Sequence, residues 1–180
     1  MTAGGGRKEA SGVVLETERL LMRPFREGDI DDYAALSADP EVMRHLSATG
    51  EPLSREDAWR QMAMFVGHWQ LRGYGVWAVE ERATGRFAGR IGLHYPEGWP
   101  DRELGWALGR SFWGRGLATE GARAALGYAF GRLGWRHVIS LIRPGNVRSI
   151  RVAERLGAVA VGDVPLRGMR HHVYRVDARS

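Results

Sequence analysis

The sequence predicts a mixed α/β (α+β) layer, one sheet with helices laid against it. Three observations carry this. Short runs that alternate apolar and polar residues give about seven strands, and longer runs with apolar residues at helical spacing give about four helices. Their order is strand, two helices, three strands, helix, strand, helix, two strands. The three central strands are linked by short turns, and helices follow them. A 180-residue chain, 44% hydrophobic and 26% charged, suits a single soluble core. Residues 14–178 are therefore expected to form one domain, preceded by a flexible tail over 1–13.

Each element has a local reason. Arg19 to Phe25 is apolar and stops at Pro24, so it reads as the first strand. A helix follows from Asp29, with Ile30, Tyr33 and Leu36 on one face, and it ends before Pro40. Ser54, with Asp57 three residues on, resembles a capping box opening a second helix. Ala58, Met62, Phe65, Val66 and Trp69 form its apolar face, and Gly73 ends it. Gly75 to Glu80 and Phe87 to Tyr95 are strands joined at Thr84-Gly85. In Glu103 to Gly109, Leu104, Trp106 and Leu108 share one face, and Glu103, Gly105 and Ala107 the other. Leu117 to Leu133 is a helix with an Ala118, Ala122, Ala125, Ala129, Leu133 stripe. His137 to Ile142 is a strand, and Asn146 to Leu156 is a helix stopped by Gly157. Ala158 to Val164 and Met169 to Val176 are the last strands.

Composition excludes several functions. The chain has no cysteine, which removes disulfides, thiolate metal sites and a cysteine nucleophile. The histidines show no metal-ligand spacing, so no metal is expected. His45 and the pair His171-His172 read as surface or pocket-rim residues. No stretch approaches 18 apolar residues, so no membrane span is expected. Met1 to Gly12 is Gly-rich and polar, without the apolar centre of a signal peptide, which gives cytoplasmic residence as the default. The net charge is +5, and all but Lys8 of the 26 basic residues are arginine. That balance suits an anionic ligand. No basic run interleaved with aromatics supports nucleic-acid binding.

The most informative stretch is Trp113-Gly114-Arg115-Gly116-Leu117-Ala118-Thr119-Glu120. Two glycines lie between a strand end and a helix start. A helix N-terminus leaves about four N–H groups unpaired and carries roughly half a positive charge. Glycine lets the backbone approach a ligand there, so the segment suits a pyrophosphate. The P-loop pattern is absent, and Thr119 stands where a dinucleotide fold would place its third Gly. A second segment runs from Pro144 through Asn146, Ser149 and Arg151 to Ala158. Asn146 suits a helix N-cap, and Ser149 lies one turn on, on the same face.

These two segments, W-G-R-G-x-A-T-E and P-x-N-x-x-S-x-R-V-x-E-R-L-G-A about 30 residues later, resemble the cofactor motifs of the GNAT acetyltransferases, RimJ/RimL-like branch. Leu15 to Pro24 resembles that branch's first strand, and Trp77 to Leu93 and Glu103 to Leu108 its central strands. The resemblance covers about residues 14 to 176. It implies a twisted, mostly antiparallel sheet and acetyl-CoA as donor. It implies that Trp113, Gly114, Arg115, Gly116, Leu117, Ala118 and Thr119 cradle the pyrophosphate. Backbone of Ala107, Leu108 and Gly109 would pair with the pantetheine arm, and Asn146 and Ser149 would contact it near the thiol. Two positions depart from the pattern: Ser111 replaces a frequent Gln or Arg, and Ala153 stands where many relatives carry a Tyr acid.

Direct transfer to a primary amine in a ternary complex needs a base if the amine is protonated. Glu103, at the start of the strand that meets the cofactor, is the first candidate, and His94 the second. Ser149 is the candidate acid, and the N–H near Leu108 the oxyanion donor. Trp77, His94 and Trp106 are candidates for the acceptor pocket, with the loop Arg44 to Leu53 placed over it. The acceptor is expected to be a protein N-terminal α-amine or a small-molecule amine. A non-catalytic acyl-CoA sensor is the alternative, and a monomer or homodimer is expected.

Overall fold

The structure is a computed structural model, and it describes residues 12–178. The expected tail falls outside the described residues over 1–11. Val13, counted with that tail, packs on the core, and its carbonyl accepts a hydrogen bond from Trp77 Nε1 (2.7 Å).

Eight strands form one sheet: β1 (Leu15–Glu16), β2 (Leu20–Arg23), β3 (Val76–Glu81), β4 (Phe87–His94), β5 (Glu103–Leu108), β6 (His137–Ile142), β7 (Val159–Leu166) and β8 (Met169–Asp177). Five helices accompany them: α1 (Ile30–Ser37), α2 (Pro40–Met43), α3 (Arg55–Arg72), α4 (Leu117–Gly127) and α5 (Val147–Arg155). The elements beyond those expected are the two-residue β1 and the one-turn α2. Both are too short for periodicity to mark. Pro40 ends α1 as expected, but it also occupies the first turn of α2. There its missing N–H costs nothing, and Asp39 caps the turn by accepting from Glu41 N–H at 2.9 Å. The helix expected over Leu117–Leu133 is α-helical only to Gly127 and continues as a π-turn over Tyr128–Arg132.

The sheet order is β1-β2-β3-β4-β5-β6-β8-β7, and every neighbouring pair is antiparallel except β5 with β6. Strand alternation assigns the two faces. Leu20, Met22, Trp77, Val79, Ile91, Leu93, Leu104 and Leu108 meet α4 through Leu117, Ala122 and Ala125, and the π-turn through Ala129. Gly121 of α4 lies so close to the sheet that a Cβ there would stand 2.5 Å from Ile91 Cδ1. Val76 and Ala78 face the other way, onto Phe25, Tyr33, Met62 and Phe65 of the α1–α3 layer. At that layer's edge Arg23 is buried, donating to both carboxylate oxygens of Asp29 (2.8 and 2.7 Å) and to Glu80 (2.7 Å).

One irregularity positions everything that follows. β5 pairs with β4 along its whole length, and β6 pairs with β8 along its whole length. Yet β5 and β6 share a single ladder pair, Glu103 with Ile139, followed by one side-chain bond from Ser140 Oγ to the Leu104 carbonyl (2.7 Å). From that point the two parallel strands splay. Their carboxyl ends lead, through short connections, to the N-termini of α4 and α5, so both termini stand at the open end of the splay.

Candidate active site

The α4 side of the opening is built from backbone. Beyond β5 the chain makes a short 3₁₀ turn over Arg110–Phe112, then turns at Gly114 (φ 72°) and Gly116 (φ 78°) into α4. A Cβ at Gly114 would meet nothing within 4 Å, and one at Gly116 only Arg19 Nη2 at 3.6 Å. The glycines therefore serve the left-handed backbone, which costs another residue about 1–2 kcal/mol. No side chain caps α4, and the first bond across its start is Glu120 N–H to the Gly116 carbonyl (3.0 Å). Among the described residues, the N–H groups of residues 114–119 have no hydrogen-bond partner.

Side chains brace this turn from behind. Arg19 donates to the Arg115 carbonyl (2.9 Å) and pairs with Glu120 (2.6 Å), which also accepts from Thr17 Oγ1 (2.6 Å). The Arg115 guanidinium pairs with Glu81, so only its backbone is turned to the opening. Trp113 donates through Nε1 to the Leu108 carbonyl (2.7 Å), and the Arg148 guanidinium lies 4.2 Å over its ring. Glu120 is thus a brace that glycine spacing did not reveal.

The ladder fixes which β5 groups face the splay. Gly109 N–H bonds to the Ala88 carbonyl (2.9 Å), and Ala107 lies opposite Arg90 in the same register. Ala107 and Gly109 therefore spend their N–H groups on β4, contrary to the expectation that they face the pantetheine arm. Leu108 and Trp106 have the opposite parity, so their N–H groups face the opening.

Beyond the splay lies a cavity of about 380 Å³, walled by α3, β4, the loop around His45 to Ala48 and the β7–β8 hairpin. Glu103, His94, Trp106, Asn146 and Ser149 all line it. Trp77 does not. It is fully buried on the α4 face against Trp69 and Tyr128, with ring centroids 5.2 and 5.6 Å away, and Val76 lines the cavity in its place. The expectation missed because a one-residue difference on a strand reverses the face.

Glu103 sits at the join of β5 and β6. Trp99 Nε1 donates to its carboxylate (2.8 Å), and the Leu141 backbone N–H points to it. Burial pushes its carboxyl up to about 7, against the Trp99 and Leu141 hydrogen bonds and the charges of Arg90 and Arg167. His94 lies opposite Glu103, stacked on His68 at 5.5 Å and edge-on to Trp99 at 4.8 Å. Burial, then His68, Arg90 and Arg167, push His94 down to about 3. It is therefore neutral and too weakly basic to compete with Glu103. Its Nδ1 is buried without a partner. Asn146 caps α5, its Oδ1 accepting from Ser149 N–H (3.3 Å). Ala153 lies in the core beneath α5.

The sequence reading passed over Arg90, Arg143 and Arg167, all of which line the cavity. The one signal for Arg90 was a charge within an otherwise apolar strand. Among the described residues no group of three or more His, Asp or Glu is placed to hold a metal ion, and no helix is long and apolar enough to cross a membrane.

The acetyltransferase (GNAT) domain family matches residues 19–159. This chain belongs to the GNAT family. YkkB of Bacillus subtilis (strain 168) is 36% identical over 151 residues, covering 79% of this chain and 83% of that protein. An acetyltransferase structure from Agrobacterium tumefaciens (strain C58) superposes with a TM-score of 0.81 at 31% identity, covering 93% of this chain and 96% of that one. RimL, a ribosomal α-N-protein acetyltransferase solved with coenzyme A, shares the fold, with a TM-score of 0.76 at 19% identity, covering 92% and 98%. The enzyme is an acetyl-CoA-dependent N-acetyltransferase of the GNAT family.

Proposed function

We propose that this GNAT enzyme acetylates the α-amine of a peptide or protein N-terminus by direct attack, with acceptor and acetyl-CoA bound together. The observation that carries the reading is the position of Glu103, on the cavity wall at the join of the splayed strands, where burial pushes its carboxyl up to about 7. An α-amine titrates near 7.7–8.0, so handing its proton to this carboxylate costs only about 1 kcal/mol. A lysine-type amine near 10.4 would cost about 4–5 kcal/mol. The base is matched to the weaker amine.

The remaining groups support the donor half. The free N–H groups of Gly114, Arg115, Gly116, Leu117, Ala118 and Thr119, at the positive end of α4, fit a pyrophosphate. Leu108 and Trp106 offer N–H groups along the splay, where an extended pantetheine arm would add to β5 as a strand does, and Leu108 N–H would polarise the thioester oxygen. Acetyl-CoA supplies the activated acetyl thioester, whose C–S bond breaks as the new N–C bond forms. Glu103 takes the amine proton. Ser149, on the cavity wall, would give a proton to the departing sulfur. A thiol near 8.5 needs little help to leave, so Ser149 is the lesser contributor. Asn146 holds the α5 turn that carries Ser149.

A small-molecule α-amine is the second reading, since the cavity of about 380 Å³ would seat a whole small amine as readily as the first residue or two of a peptide. A pH–rate profile of thiol release tests the common claim. The first-order rate at low acceptor should rise about tenfold per pH unit up to about pH 7, as Glu103 becomes ionised, and fall above about pH 8, as the amine loses the proton that Glu103 takes. A profile still rising steeply between pH 8 and 10 would point to an alkylamine acceptor without a matched base.

A further inference from the structure

Three arginines converge on the acceptor cavity. Several arginines elsewhere are paired with carboxylates: Arg19 with Glu120, Arg23 with Asp29 and Glu80, Arg115 with Glu81; the half-buried Arg102 instead lies over the Trp135 ring. Arg90, Arg143 and Arg167 all line the cavity, and none has a carboxylate at ion-pair distance among the described residues. Arg90 rises from β4 at the floor, its guanidinium 5.3 Å over the Phe65 ring. Arg167 hangs at the lip, 5.3 Å over the Trp99 ring. Arg143 spends one nitrogen on the carbonyls of Arg44 and Ser47 (3.2 Å each).

Arg167 is also the one described non-glycine residue with a positive φ, 50°. It occupies the first position of the tight turn between β7 and β8, where Leu166 pairs with Met169. Asn, Asp or Gly suits that position, and Arg is held there at a conformational cost. The turn could have been made more cheaply, so the guanidinium is what the position supplies.

Among the described residues, the only carboxylate lining the cavity is that of Glu103. His45, His94 and His171 line the same walls and are all pushed down, by burial and by the neighbouring arginines. An acceptor carrying only an ammonium meets net repulsion here. None of the residues 113–119 lines the cavity, so the excess charge lies away from the proposed phosphate cradle.

We propose that the acceptor of this enzyme is an anionic amine, whose carboxylate or phosphate a few bonds from the nitrogen is bound by Arg90 and Arg167. This rests on the acetyltransferase reading of the same cavity and adds its substrate class. An α-amine next to an acidic residue fits, with the nitrogen at Glu103 and the anion between the two guanidinia. A polyamine does not.

The test uses binding, which needs no turnover. Acetyl-alanyl-aspartate and its uncharged diamide are titrated calorimetrically into the CoA-loaded enzyme, and into Arg167→Gln and Arg90→Gln. The dianion should bind at least about 10-fold more tightly than the diamide. Each variant should lose most of that ratio while its affinity for acetyl-CoA and its melting temperature stay near those of the parent. Equal binding of the two compounds, or a preference that survives in both variants, overturns the proposal. Hexapeptides beginning alanyl-aspartyl, alanyl-asparaginyl and alanyl-lysyl, followed by thiol release, separate the two claims. Turnover in the order acidic, neutral, basic supports both. No turnover of any peptide or free amine counts against the transferase reading alone, and turnover with the lysyl peptide fastest sinks the anionic acceptor.

Discussion

From Gly114 to Thr119 the groups left free at the opening are peptide N–H groups, and side chains such as Arg19 and Glu120 stand behind them. Across the splay the arrangement reverses. Glu103, His94, Arg90 and Arg167 reach the cavity as side chains, drawn from β4, β5 and a distant hairpin. A backbone site depends on φ angles and a helix start, which a few glycines impose locally. A side-chain site depends on the whole fold bringing separate strands together. The first is rigid and generic, fit for one donor. The second is open to change at single positions.

Glu103→Gln should separate the two halves most sharply. The rate constant for transfer should fall about 10²–10⁴-fold with the affinity for acetyl-CoA within about twofold of the parent, read by thiol release and calorimetry. The same variant carries a stability sign. Glu103 titrates above its usual value, so its neutral form favours the fold. That contribution is complete below about pH 4.5 and is lost as pH rises through about 7. Denaturant titration should therefore show Glu103→Gln gaining on the parent between pH 5 and 8, by about 1–3 kcal/mol at the upper end. Equal stability across that range would mean that the carboxyl is solvated in both states.

A smaller effect is expected at Trp99. Its Nε1 donates to the ionised carboxylate, so Trp99→Phe should raise the Glu103 pKa and move the acidic limb of the pH–rate profile up by about 0.5–1 unit. The maximum should change less than the limb. A downward shift would mean that the indole serves to bury Glu103 rather than to hydrogen-bond it.

The contrast also explains what was legible in the sequence. The glycine turn before α4, the Asn146 cap and the Glu103 position follow from local pattern, and the strands from β3 to β6 lie close to where alternation placed them. The splay between β5 and β6 was not legible, because it is a pairing that stops, and no residue marks it. Its consequence, that Leu108 and Trp106 rather than Ala107 and Gly109 face the opening, rests on ladder parity. Trp77 failed as a pocket residue for the same reason, since Val76 takes its face. Arg167 was hidden because the turn makes it noteworthy only once its φ is known.

The central claim is that the donor half is held by backbone and the acceptor half by side chains. It is tested most directly by calorimetric titration of acetyl-CoA into the parent, Gly116→Asp and Glu103→Gln. Gly116→Asp puts a carboxylate against the phosphate cradle and should weaken binding about 100-fold. Glu103→Gln should bind as the parent does. If Gly116→Asp binds normally, or Glu103→Gln loses acetyl-CoA, the division between the two halves is wrong.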